Sequence, residues 1–406
     1  MTPHPARTAL PLAVALSLAA ATAHATNGMN LEGFGPIGLS MGGASMAYDS
    51  GLAAMMNNPA TLGLAPEGDQ LALALHFLGP DVAVQGLAES GGDAYYMPAL
   101  GWGRKAGRLT WGVGMFAQGG MGTEYPADSP LAMGTGQPVR SELGVGRVIL
   151  PVAYEFSPRL IAGATLDYVW AGLDMRAAFA PGGPRIDFSD DNDFTGRAKG
   201  TGFAGKLGLL YKLSPSLNLG LTYHSKTALS DLETKDNGAT FAGMTGKATI
   251  HDFEWPETYA VGLAWQADPK LMLAVDVKYI GWSDDMKDFK LAFTPAGGSE
   301  IPLTMAQNWD DQVVYALGLQ YRPNDKLGLR VGFNYGRNPV PDATLNPLFP
   351  AIVERHYTAG FDYRVSDQGC IAVAVAYAPE VSNTNGSGMT IRHSQLSGMV
   401  GYNHQF

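Results

Sequence analysis

Lys326-Leu327-Gly328-Leu329-Arg330-Val331-Gly332-Phe333-Asn334-Tyr335-Gly336-Arg337 alternates without interruption. Leu327, Leu329, Val331, Phe333 and Tyr335 share one face, and Gly328, Arg330, Gly332, Asn334 and Gly336 share the other. A period of two places successive side chains on opposite faces of a strand. The first face is bulky and aromatic, while the second is small or polar. A water-soluble sandwich turns its apolar face inward and shows water a face rich in Lys, Glu and Thr. The pattern here suits a barrel whose outside meets lipid and whose inside is crowded and polar.

The same alternation recurs in Leu217/Leu219/Leu221/Tyr223, Leu271/Leu273/Val275/Val277/Tyr279, Val313/Tyr315/Leu317/Leu319/Tyr321 and Tyr357/Ala359/Phe361/Tyr363/Val365. The intervening positions include Asn218, Thr222, His224, Asp276, Lys278, Asp362 and Arg364. Short connectors at 105–107, 157–159, 214–216, 267–270, 322–325 and 366–369 alternate with long irregular stretches near 81–94, 119–139, 177–198, 230–244, 284–307, 338–352 and 381–389. Six tight turns and seven long loops predict an all-β fold, a fourteen-stranded antiparallel transmembrane β-barrel, with turns on the periplasmic side and long loops outside. Aromatics fall at both strand ends as two interfacial girdles: Trp170, Tyr223, Tyr279, Trp282, Tyr335 and Tyr377 toward the loops, and Phe156, Tyr211, Trp265, Tyr321 and Tyr363 toward the turns. Phe406 ends a final strand of the same grammar.

Composition narrows the function. The 406 residues carry a net charge of −10 and only 16% charged side chains, against about 25% in soluble domains. Mean hydropathy is −0.02, so Gly and aromatic residues, not an excess of aliphatic ones, fill the space. An acidic chain without a Lys/Arg cluster does not neutralise phosphates, which excludes a nucleic-acid partner. The single Cys370 forms no intrachain disulfide and has no second thiol for a zinc or redox site. Arg7, the apolar run Leu10–Ala23 and Ala23-His24-Ala25 read as a signal peptide over 1–25. No later apolar run reaches the length of a membrane helix.

Residues 26–69 lack the strand grammar, and a plug inside the lumen is the natural place for them. The expected organisation is a signal peptide 1–25, a plug or hatch 26–69 and a barrel 70–406. Gly33-Phe34-Gly35-Pro36-Ile37-Gly38 matches a dinucleotide fingerprint formally, but no strand precedes it to aim a helix at pyrophosphate.

The ordered set of motifs resembles the FadL-type (OMPP1/TodX) outer-membrane transporters of long-chain fatty acids and aromatic hydrocarbons. Gly35-Pro36-Ile37-Gly38-Leu39-Ser40-Met41-Gly42-Gly43-Ala44, followed by Asn58-Pro59-Ala60, is similar to that family's hatch. Trp255-Pro256-Glu257 with Tyr259, Gly262, Leu273, Asp276, Tyr279 and Trp282-Ser283 resembles its central strand pair. Trp309-Asp310-Asp311, Ala316-Leu317-Gly318, Arg330, Gly332, Pro339-Val340-Pro341-Asp342, Pro350 and His356 follow the same pattern.

The resemblance implies capture by outer loops, a lumenal pocket, and release sideways through the wall. It also implies a hatch at Phe34, Asn58, Pro59 and Ala60, and a gate in the Gly-rich third strand at Gly112, Gly114, Gly119 and Gly120. Substrate-binding candidates are Arg176, Asp310, Trp282 and Arg330. Arg176 lies where relatives that take fatty acids place an arginine near the carboxylate, yet strand parity turns it outward, where it would meet lipopolysaccharide phosphates. Asp310 stands where the family pattern has Lys, an exchange that favours neutral solutes over carboxylates.

The lumenal charges Arg330, Asp276, Lys278, Asp362 and Arg364 read either as a binding set or as pairs across the barrel. Asp187, Asp190, Asp191 and Asp193 read as a cation loop or as a solvated acidic loop. His224, His251 and His356 lack metal-ligand spacing, and no Ser/His or Asp/His hydrolase constellation is recognisable. No catalytic residue, metal or cofactor is expected. The expected partners are hydrophobic small molecules, outer-membrane lipid and lipopolysaccharide, for a monomeric chain. A general porin and, further off, a barrel hydrolase remain the alternatives; a plug favours the transporter over the porin.

Overall fold

The computed structural model describes residues 27–191 and 196–406. The signal peptide read at 1–25, and Asp193, lie outside the described residues. Each alternating stretch is a strand, and the hydrogen-bonded circuit runs antiparallel between sequence neighbours. Its members are Gly68–Val84, Tyr95–Ala106, Leu109–Tyr125, Val139–Ser157, Leu160–Ala178, Ala198–Ser214 and Leu217–His224. It continues through Thr258–Asp268, Leu271–Ile280, Gln312–Tyr321, Leu327–Gly336, Arg355–Arg364, Gly369–Thr384 and Thr390–Gln405. The last strand pairs with the first from Gln70↔Gln405 to Val84↔Ile391 and closes the ring.

The expectation of a fourteen-stranded barrel is corrected by the structure. The sheet contains 23 strands, of which eighteen are three residues or longer. Arg185–Asp187, Ala239–Phe241, Met244–His251 and Asp288–Pro295 are among the additional strands. Three of them arise in stretches read as irregular loops, and Met244–His251 follows directly on one, where backbone N–H and C=O groups need partners. Arg176 to Ala178 pairs with 185–187, which pairs with 240–241, and Met244–His251 pairs with Asp288–Pro295. The sequence pattern missed them because they pair with segments far along the chain, as Met244–His251 does with Asp288–Pro295.

Wall parity is as the alternation requires. Leu207, Val331, Leu396 and Val400 are each more than half exposed on the outer face, whereas the inward Ala316, Ala372, Ala374 and Ala376 are buried. Among the described residues no helix is long and apolar enough to cross a membrane.

Inside the ring lies the N-terminal segment. A short helix, Gly35–Ser40, and two 3-10 turns, Gly51–Met55 and Pro59–Leu64, pack against the inner wall. The inward glycines supply the room. A Cβ on Gly332 would meet Gly42 N at 2.1 Å, and one on Gly220 would meet Met46 O at 1.9 Å.

Candidate functional site: a passage through the wall

Strand Tyr95–Ala106 pairs with Leu109–Tyr125 only from Ala106↔Leu109 to Leu100↔Met115. Beyond that point residues 95–99 keep their pairing to the first strand, and 116–125 keep theirs to Val139–Ser157. The ladder is therefore absent between 95–99 and 116–123, and it is bridged at the outer end, where Gly91 N donates to Glu124 O at 2.7 Å and Glu124 N donates to Ser90 Oγ at 3.0 Å. Two local features explain the parting. Gln118 is an inserted residue, since Ala117↔Gly146 is followed by Gly119↔Val145, and a bulge bends and twists its strand. Pro98 faces the same region without an N–H to offer.

The free edge at 118–120 is met from inside by the N-terminal segment. Leu31 N donates to Gln118 O at 3.3 Å and Gly120 N donates to Met29 O at 3.0 Å. Gly119 permits this approach, because a Cβ there would lie 2.0 Å from Met29 O. Aromatic side chains from the outer loops hold residues 28–31 in place. Trp255 Nε1 donates to Asn30 Oδ1 at 2.9 Å. The Trp282 ring lies on Gly28, between Trp255 at 5.7 Å and Trp309 at 5.3 Å.

A cavity of about 520 Å³ follows the parting. Leu31, Val82 and Pro350 line it from within, while Tyr96, Trp170 and Thr201 line it on the bilayer-facing side. Tyr96 is 50% exposed and Trp170 37%, so the cavity reaches the outer surface. Its lining is mostly apolar, and its chemistry is that of solubilising a small hydrophobic molecule.

Below this level the wall grips the N-terminal segment through its backbone. Asp276 Oδ2 accepts from Ser45 N at 2.6 Å and Met46 N at 3.1 Å. Lys278 donates to Gly43 O at 3.1 Å, Lys105 to Gly63 O at 2.7 Å, and Lys206 to the carbonyls of Met55 and Met56. Asn58 is fully buried; its Nδ2 donates to Met46 O at 2.7 Å and Leu209 O at 3.1 Å, and its Oδ1 accepts from Ala60 N at 3.0 Å. Pro59 begins the 3-10 turn that this contact caps. Phe34 precedes the helix, and its carbonyl accepts from Asn57 Nδ2 at 3.2 Å.

The substrate candidates from the sequence do not converge. Arg176 sits beside the added outer strands, in ion pairs with Asp187 at 3.2 Å and Asp191 at 3.1 Å. Asp310 is exposed on the outer side, where its N–H donates to Pro339 O at 2.8 Å. Neither residue lines the cavity. Arg330 is buried against Asp362, which Arg322 also approaches at 3.2 Å, with Gln320 accepting from Arg330 Nε at 2.8 Å. Trp282 is fully buried in the aromatic stack instead of standing in an interfacial girdle.

Gly112 and Gly114 lie in the paired part of their strand beneath Met55, and Gly119 and Gly120 lie at the parting. Asp174, on Leu160–Ala178, accepts from Ser189 Oγ at 3.0 Å, Asp190 N at 3.2 Å and Arg197 N at 2.6 Å. His251 pairs with Asp231 at 2.7 Å and Glu300 at 3.1 Å on the outer strands. Burial by itself lowers its pKa, and these two carboxylates raise it above the usual 6.5. Among the described residues no group of three or more His, Cys, Asp or Glu side chains is arranged to hold a metal ion.

Gln118, Gly144 and the Met29–Leu31 contact were not identified from the sequence. An inserted residue reverses strand parity after itself, and in Leu109–Tyr125 that was the available signal.

Comparison with known proteins places this geometry. The sequence profile described as outer membrane protein transport protein (OMPP1/FadL/TodX) matches residues 12–398. The solved toluene transporter TodX of Pseudomonas putida is 29% identical, with a TM-score of 0.83, over 94% of this chain and 100% of its own. The toluene transporter TbuX of Ralstonia pickettii is 30% identical, with a TM-score of 0.80, over 93% of this chain and 99% of its own. A curated protein of Chlorobium limicola, described as uncharacterized, is 48% identical over 74 residues, which are 18% of this chain and 36% of that protein.

Proposed function

The chain belongs to the outer membrane protein transport protein family (OMPP1/FadL/TodX), and on that premise we propose that it takes up small hydrophobic molecules, hydrocarbons or fatty acids, and releases them sideways into the bilayer. Its place is the outer membrane, and its family is one of transport channels. The observation that carries the sideways route is the cavity shared by inward Leu31 and Pro350 and by bilayer-facing Tyr96 and Trp170. Lateral exit has a physical rationale. Moving an apolar solute into periplasmic water costs about 0.8 kcal/mol per CH₂, and exit into lipid avoids that cost. An intact barrel has no free edge, so the route requires a local break in pairing. Residues 26–69 serve as the hatch, with Asn58, Pro59 and Ala60 at its seat and Phe34 at its helix, and Gly119 and Gly120 frame the gate.

Gly144 allows a direct test. It lines the cavity on the outer side and is exposed, and a Cβ there would meet nothing within 4 Å. Gly144→Trp is expected to leave a heat-modifiable, folded barrel and to abolish uptake of labelled toluene, with Gly144→Ala as control. Undiminished uptake in Gly144→Trp removes the sideways route.

A further inference from the structure

Gln118 carries the bulge, yet its side chain takes no part in lining the cavity. It is 3% exposed, and its carboxamide oxygen accepts from Arg147 Nη2. Arg147 is fully buried on Val139–Ser157. Its Nη1 donates to Asp167 Oδ2 at 2.7 Å on Leu160–Ala178, and to His224 Nε2 at 2.5 Å at the end of Leu217–His224. One guanidinium thus ties the inserted residue to three further strands. Arginine suits this task because its planar fork directs donors to several acceptors at once, which a lysine ammonium does not reproduce.

We propose that Arg147 is the positioning residue of the lateral gap: by holding the Gln118 side chain inside the barrel, it fixes the bulge and so keeps 119–121 out of the ladder with 96–99. The inference rests on the sideways-release reading. The competing arrangement absorbs Gln118 into a regular ladder, recovers hydrogen bonds between 95–99 and 116–120, and closes the wall. A one-residue slip of that kind moves every later side chain of the strand to the other face. The charge-assisted bond to Arg147 holds the bulged register against it. Asp167 is essential to this arrangement, since an unpaired guanidinium is too costly to bury.

The test compares Gln118→Leu and Gln118→Glu in the full chain with Cys370→Ser. Spin labels at Tyr96→Cys and Met121→Cys report the distance across the gap. Toluene binding to the purified protein and toluene uptake are measured on the same variants without labels. Gln118→Leu is expected to bind toluene within about twofold of the parent, to lose about tenfold or more of its uptake rate, and to shorten the label distance. Gln118→Glu keeps an acceptor for the guanidinium and should retain both uptake and distance. If Gln118→Leu does not assemble, Arg147→Lys keeps the positive charge beside Asp167 without the fork, and the same loss of uptake and distance is expected.

Parent-like uptake and distance in Gln118→Leu, or in Arg147→Lys where that variant stands in, overturn the inference, as does a Gln118→Glu variant that behaves like Gln118→Leu. The sideways route is judged separately by Gly144→Trp, so the two failures are distinguishable.

Discussion

Replacing Asn58 by alanine removes the most densely bonded side chain of the N-terminal segment. Three hydrogen bonds disappear together, to Met46 O, Leu209 O and Ala60 N, in a position without access to water. At about 0.5–1.5 kcal/mol net for each, the seat of the segment loses about 1.5–4.5 kcal/mol relative to the bound state. Two of the three partners, Met46 and Ala60, belong to the segment itself, and Leu209 belongs to a wall strand whose ladder pairing is independent of Asn58. The loss therefore falls on the hatch and not on the barrel. With about 1.4 kcal/mol per factor of ten, the opening equilibrium of residues 59–64 rises by about one to three orders of magnitude. Hydrogen exchange in lipid nanodiscs reads this directly as lost protection at Ala60, Thr61 and Leu62, with strand amides unchanged. Toluene uptake is expected to fall in the same variant while heat-modifiability persists. Unchanged protection across 59–64 together with unchanged uptake refutes the reasoning, because it means that the three bonds do not seat the hatch.

Two further outcomes are expected. A Cβ on Gly208 would stand 2.1 Å from Asn58 Oδ1 and 2.9 Å from Pro59 Cδ, so Gly208→Ala should reproduce the exchange pattern of Asn58→Ala from the wall side, and normal protection there contradicts the packing argument. His251 has a raised folded pKa, so the anchoring it gives the outer strands is fully present below 6.5 and is lost as pH rises through the folded value. NMR titration should place His251 above 6.5 and Asp231→Asn should lower it, and a titration at or below 6.5 in the parent removes this anchor.

How much of the molecule was legible depends on how far each signal extends along the chain. Alternation in Leu327–Gly336 and its counterparts is local, and it identified the transmembrane strands, their faces and the six tight turns. The strands at 185–187, 239–241, 244–251 and 288–295 were not legible, because pairings such as 186–187 with 240–241 and 246–251 with 290–295 join segments far apart in the chain. Asn58 and Pro59 were legible as a bend, but the wall atoms that meet them were not. Arg176 and Asp310 show the converse. Residue type gave each a plausible part in binding, but the neighbouring Asp187 and Asp191 engage the first, and the outward course of the chain exposes the second. The strand that carries the passage was read from its glycines, but the residue that bends it, Gln118, is marked only by a reversal of parity after Ala117.

The seam between Gly68–Val84 and Thr390–Gln405 also constrains biogenesis. Residues 27–67 precede the first strand and end up enclosed, and closure requires partners as distant in sequence as Gln70 and Gln405. Such non-local pairing is slow, because its entropic cost comes before its reward. The inner face of the wall is complete only when both the earliest part of the described chain and its latest strand are in place, because the inward glycines leave room that residues 27–67 fill. A side chain at Gly220 or Gly332 would set the wall against its own contents, so the glycines that line the interior are a condition of a filled barrel.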